Sequence, residues 1–278
     1  MQAGSYGQAP SVRRAASVLL SGRIVYGAAI VGFGTLCVVF GDFVHQLQPV
    51  NLFLPESTPG LGVLARLNGI VLIAAGLAIV AGWHRHHAAL GLAVFLALWV
   101  LLLQVPSAFV DPSLLRSPWW VRTFETVALS GAALILAGHA GLAAGPDRDR
   151  WIRAGRILFG VSLPVFGVLH FVYADNVASL VPSGYPWPLF FAYLTGAGNL
   201  AAGVAIASGV LARPAALLTA LQYGVYAVTL HIPRQLVHQP PSDRAGWTSM
   251  FVAIGFCGAA MIVAGSLTEG DRVVAASE

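Results

Sequence analysis

Gly69–Gly82 reads Gly-Ile-Val-Leu-Ile-Ala-Ala-Gly-Leu-Ala-Ile-Val-Ala-Gly, without a charged or hydrogen-bonding side chain in the run. A strand of a lipid-facing barrel alternates apolar and polar residues, whereas this run, like Val252–Gly265, is apolar on every side. Both therefore read as helix. Because a helix needs about 20 mostly apolar residues to cross the hydrocarbon core, the same criterion applied outward along the chain marks eight stretches, near 24–41, 61–82, 88–106, 119–138, 157–174, 189–211, 215–233 and 247–266. The sequence predicts an all-α integral membrane protein with eight transmembrane helices.

Composition agrees. Of 278 residues, 57% are hydrophobic and 9% charged, with a mean hydropathy of +0.77, whereas a soluble domain carries roughly 25% charge. The net charge of +4 comes from arginine alone, since the chain has no lysine. In a membrane protein such an excess records orientation and gives no reason to expect nucleic acid. Arg13, Arg14, Arg23, Arg85, Arg148, Arg150, Arg153, Arg156, Arg213 and Arg272 fall on one side of the predicted topology, and Arg66, Arg116, Arg122, Arg234 and Arg244 on the other. Ten against five places both termini in the cytoplasm of a cell whose inner membrane holds the chain. The stretch Ser11–Ser17 with its Arg-Arg pair invites a twin-arginine reading. Arg23, however, interrupts the region before the long apolar run, and an uncleaved first helix is expected.

A duplication is visible within the chain. Gly22-Arg-Ile-Val-Tyr-Gly27 returns as Gly155-Arg-Ile-Leu-Phe-Gly160, a shift that also superposes Phe33-Gly34 on Phe166-Gly167 and Asp42 on Asp175. After a shorter loop in the second copy, Gly69, Gly76 and Gly82 match Gly196, Gly203 and Gly209, while Ala88-Ala-Leu90, Pro106, Trp120, Phe124 and Gly131 match Ala215-Ala-Leu217, Pro233, Trp247, Phe251 and Gly258. Each copy contains four crossings, an even number, so both enter from one side as parallel repeats, forming two four-helix bundles. The expected division is a tail at 1–21, a first repeat at 22–140, a cytoplasmic linker at 141–153, a second repeat at 154–266 and a tail at 267–278.

Comparison of the copies locates polarity that only the second has: Cys37 becomes His170, Leu72 becomes Asn199, Leu102 becomes Thr229 and Gln104 becomes His231. Polar groups at membrane depth are costly unless paired or wet, so His170, Tyr173, Asp175, Tyr193, Thr195, Asn199, His231 and Arg234 are the candidate ligand-pocket residues, near the outer end. A neutral imidazole there can hydrogen-bond a quinone carbonyl or accept a proton; alternatively each histidine only ties helices together. Arg122 and Glu125, present in the first copy alone, have the spacing of an intrahelical ion pair, with a proton relay as the functional alternative. Trp83-His-Arg-His-His87 occupies a tight turn whose basic residues already serve orientation. No metal site is expected there, nor a disulfide or CxxC pair from Cys37 and Cys257, nor haem on histidines at opposite ends. Gly-rich phosphate loops and nucleophile elbows are also lacking, which leaves no self-contained catalytic centre to point to.

At His170-Phe-Val-Tyr-Ala-Asp175, Val181-Pro, Tyr193-Leu-Thr-Gly196, Ala201-Ala-Gly203 and His231-Ile-Pro-Arg234 the second half resembles the DoxX-like integral membrane proteins of bacteria. The resemblance implies a four-helix unit with an aromatic-flanked histidine ending its first helix, hence a tandem of two such units here. Many members carry a Glu where this chain has Asn199, so carboxylate chemistry at that position is not implied. The family is named for the small membrane subunit of a thiosulfate:quinone oxidoreductase, and resemblance implies an accessory or quinone-associated subunit with quinone as cofactor and a redox subunit as partner, besides the lipid bilayer. The alternative functions are a carrier or binding protein for a small apolar or lipid-like molecule, and a structural component of an envelope complex.

Overall fold

The computed structural model describes residues 10–113, 120–140, 146–182 and 184–267. Arg116, Arg272, the first residues of the expected linker and nearly all of the expected C-terminal tail lie outside them. Eight described helices are long and apolar enough to cross a membrane. They are α1 (Pro10–Phe40), α2 (Leu61–Ala81), α3 (Arg85–Val110), α4 (Trp120–Ala140), α5 (Pro146–Val172), α7 (Pro188–Ser208), α8 (Ala212–His238) and α9 (Arg244–Gly265), with a short α6 (Ala174–Leu180) between α5 and α7.

Several boundaries differ from expectation. Helix α1 begins at Pro10, inside the stretch expected to be tail, and α5 begins at Pro146, inside the expected linker. Hydropathy marks where hydrocarbon begins, and an arginine-rich helical turn beyond that boundary stays helical while leaving the apolar window. Helix α6, too short and polar to register as a span, occupies part of the expected outer loop.

Nearest-neighbour packing follows a ring. Each helix from α1 through α5 packs on the next, α5 packs on α7, α7 on α8, α8 on α9, and α9 closes back on α1. Helices α4 and α9 also meet each other and are the most enclosed of the eight. Two self-contained four-helix bundles are thus not what forms: α1 packs chiefly on α2 and α9, and α5 chiefly on α4 and α7, so each half is closed by a helix of the other. Glycine dictates these pairings. A β-carbon added at Gly76 would lie 2.7 Å from the Gly27 carbonyl oxygen, and one at Gly131 would lie 2.6 Å from that of Gly155, so backbones touch where the side chain is a hydrogen atom. In a bilayer, where lipid tails remove the hydrophobic drive for helix association, such close backbone contact is a main source of packing energy.

The outward faces are apolar. Val63, Leu67, Ile70 and Val71 on α2 and Leu218, Leu221, Val225 and Val228 on α8 are all exposed, as a surface facing lipid requires. Inside, several polar side chains are paired: Gln48 and Asn68 exchange hydrogen bonds of 3.0 and 3.1 Å, and Gln104 Nε2 donates to the Leu47 carbonyl at 2.7 Å and to Thr126 Oγ1 at 2.8 Å. These bonds hold the loop after α1 inside the bundle, with Val44 and Leu47 fully buried.

Candidate functional site

Prolines shape the site. Pro233 has no N–H to give to the carbonyl four residues back, and its ring crowds that carbonyl. The helix answers with wide π-turns over Tyr226–His231 and again over Arg234–His238, an accommodation common where a helix serves a site. Pro106 follows a similar π-turn, Val100–Gln104, in α3. On α8 the widened turns carry Tyr226, Thr229, Leu230 and His231 onto the wall of a cavity of about 550 Å³. Helices α4, α5, α6, α7, α8 and α9 all contribute to it, with Val181, Pro182 and Tyr185 from the loop after α6.

Of the residues expected from the sequence, the cavity collects His170, Tyr173, Thr195 and His231, and it adds Arg122 and Glu125 from α4. His170 Nδ1 lies 2.7 Å from the Phe166 carbonyl oxygen. A carbonyl can only accept, so Nδ1 carries a proton, and in that tautomer of the neutral ring Nε2 is the acceptor. The His231 ring makes no hydrogen bond among the described residues. Arg122 Nη1 donates to both Glu125 carboxylate oxygens, at 3.0 and 2.9 Å, forming an ion pair in the cavity wall. Glu125 is buried, and among the described residues Arg122 is its charged partner.

Other expected residues fall elsewhere. Asp175 lies exposed on α6 and Arg234 exposed on α8, both away from the lining. Tyr193 is exposed on the outer face of α7, stacked on Phe171 with ring centroids 5.6 Å apart, where lipid would meet it. Periodicity explains this: Tyr193 and Thr195 are two residues apart, about 200° around a helix, so they face opposite ways. Asn199 is buried behind the wall, where its Oδ1 accepts from Gln222 Nε2 at 3.3 Å while its Nδ2 has no partner among the described residues. Gln222 Nε2 also donates to the Tyr226 hydroxyl at 3.2 Å.

Gln222, Tyr223, Tyr226 and Ser249 are lining residues that sequence reasoning missed. Gln222 lies four residues before Tyr226, a helical spacing that was available as a signal. His86, from the histidine-rich turn, instead has Nδ1 2.9 Å from the Ala137 carbonyl oxygen.

The loop after α1 offers a contrast. There Val44 and Leu47 fill the interior and Gln48, Asn68 and Cys37 bond to one another, whereas α6 and the loop after it border open space. Just outside, Asp42 pairs with Arg244, joining the end of α1 to the start of α9. Burial, and then the Arg244 charge, hold half-buried His45 below its ordinary pKa of 6.5.

A ring of eight helices long and apolar enough to span a membrane, with apolar outward faces, defines a multi-pass helical membrane protein. Residues 152–232, from α5 into α8, match the family model described as DoxX. Comparison with curated proteins and with solved structures finds no match.

Proposed function

We propose that the chain binds a quinone-class molecule in the cavity beneath α6, as an accessory or quinone-associated subunit of a membrane redox system. The observation that carries this reading is the convergence of His170, His231 and the Arg122–Glu125 pair on one largely apolar cavity of about 550 Å³. Apolar walls suit the ring and isoprenoid tail, and a few convergent polar groups orient the head. His170 Nε2 is an acceptor suited to a quinol hydroxyl, His231 and Glu125 are proton holders on the same wall, and Arg122 is a donor suited to a quinone carbonyl. In this reading the chain binds, orients and takes protons, and the electron pair passes to a redox centre of a partner subunit.

The test is quinol binding by the purified chain. H170Q/H231Q is expected to weaken it by about tenfold or more, the worth of one or two lost hydrogen bonds; unchanged binding would sink the proposal. A second reading, a carrier for a small apolar or lipid-like molecule, is favoured by the aliphatic and aromatic majority of the lining, Leu169, Val177, Leu180 and Phe191 among them. It predicts movement of an apolar fluorescent ligand between vesicles without any electron acceptor.

The same proposal includes the chain's ancestry and placement: two parallel copies of one four-helix unit, in a bacterial inner membrane, with both termini cytoplasmic. Supporting the duplication, the Gly22–Gly258 approach of α1 and α9 has its counterpart in the Gly155–Gly131 approach of α5 and α4, and each copy has a π-turn before its proline. The arginine bias supports the orientation.

A further inference from the structure

At the opposite end of the bundle a second cavity, of about 330 Å³, lies among α1, α2, α3 and α4. Two of its lining residues are Arg23 and Arg85, and no Asp or Glu lines it among the described residues. The arginines converge over the turn that ends α2: a β-carbon built at Gly82 would lie 3.2 Å from Arg23 Nη1 and 3.5 Å from Arg85 Cδ. Arg23 reaches the Val80 carbonyl oxygen through one long 3.4 Å hydrogen bond, and its Nε is buried without an acceptor. Among the described residues, the two guanidinium groups thus face one space with most of their donors unspent, Arg23 part-buried and Arg85 at its exposed rim.

Like charges brought together in a partly desolvated recess are costly unless an anion joins them. Guanidinium forks match the paired oxygens of a phosphate, and an oxyanion between two of them satisfies donors on both. The remaining walls are aliphatic, Leu19, Leu20, Ile79 and Leu136, and the recess lies where α2 ends and α3 begins, level with the membrane surface. We propose that this recess holds the phosphate of an anionic lipid head group, with the first carbons of the lipid against the aliphatic wall.

The test uses the delipidated full chain and native mass spectrometry with phosphatidylglycerol, phosphatidylcholine or inorganic phosphate. The wild type is expected to retain phosphatidylglycerol about tenfold better than phosphatidylcholine, on the scale of attraction expected for interfacial arginines. R23Q/R85Q should lose that preference, R23K/R85K should keep most of it, and R66Q, at the other end of α2, should leave it unchanged. Should the double glutamine variant fail to fold, R85Q alone carries the comparison. Displacement of bound phosphatidylglycerol by inorganic phosphate would support recognition of the phosphate. Equal retention of the two lipids by the wild type, or a preference that survives R23Q/R85Q, would overturn the proposal, and binding of inorganic phosphate without phosphatidylglycerol would overturn its lipid form.

Discussion

Glu125 shows how one side chain can be read correctly by spacing and incompletely by location. Three residues from Arg122, it is expected to pair with it, and the pair forms. What spacing cannot say is which space the pair borders, because that depends on α5, α8 and α9 arriving beside α4. Removing one partner leaves the other charge partly buried and alone, a cost of about 1–3 kcal/mol. E125Q is therefore expected to lower the detergent melting temperature, and R122L/E125L to recover most of the loss. His45 makes a separate prediction. Its folded pKa lies below that of the unfolded chain, so between those values only the unfolded state takes up a proton, and stability falls as pH drops below about 6.5. Melting temperature measured from pH 7.5 to 5 should decline less in H45Q than in the wild type; parallel curves would refute this.

Helices were the most legible part of the chain, because hydrocarbon imposes a length and an apolarity that a single sequence displays directly. The first three turns of α1, the first two of α5 and the polar α6 were not legible because they are helical outside the apolar window, and the π-turns because they leave hydropathy unchanged. Proline marked the places where α3 and α8 widen, but a proline alone does not distinguish a kink from a π-turn. Small residues spoke more clearly: Gly76 matches a glycine of the other half and does what a small residue in a membrane helix is expected to do. With the Gly27 carbonyl oxygen 2.7 Å from where its β-carbon would be, G76V should force α1 and α2 apart at a cost of about 1–3 kcal/mol, read as a lower melting temperature. An unchanged value would mean that this contact is dispensable.

At the scale of the molecule, the sequence division into two units led to the expectation of two separate bundles, and the ring corrects it. No pattern within one half announces that its first helix will pack on the last helix of the other; only the shape of the assembled glycine faces does so. The candidate site shares this property. Arg122 and Glu125 come from α4, while His170 and His231 come from beyond residue 146, so a residue list drawn from either half alone is incomplete. Expressed separately, the segments 1–143 and 144–278 should each be degraded or aggregated, and co-expression should restore a complex that survives size-exclusion chromatography. Stable, monodisperse behaviour of either segment alone would contradict the interlocked packing.

Closure of α1 on α9 also has a consequence in time. Gly22 leaves the ribosome more than two hundred residues ahead of its partner Gly258. At about 5–20 residues per second, α1 waits on the order of 10–50 s in the membrane with one glycine face unclaimed. During that interval its backbone is open to whichever other helix diffuses past. The nascent protein is therefore most vulnerable to mispairing while its last span is still being made, and slowing translation near the 3′ end of its message should raise the fraction lost to membrane proteolysis.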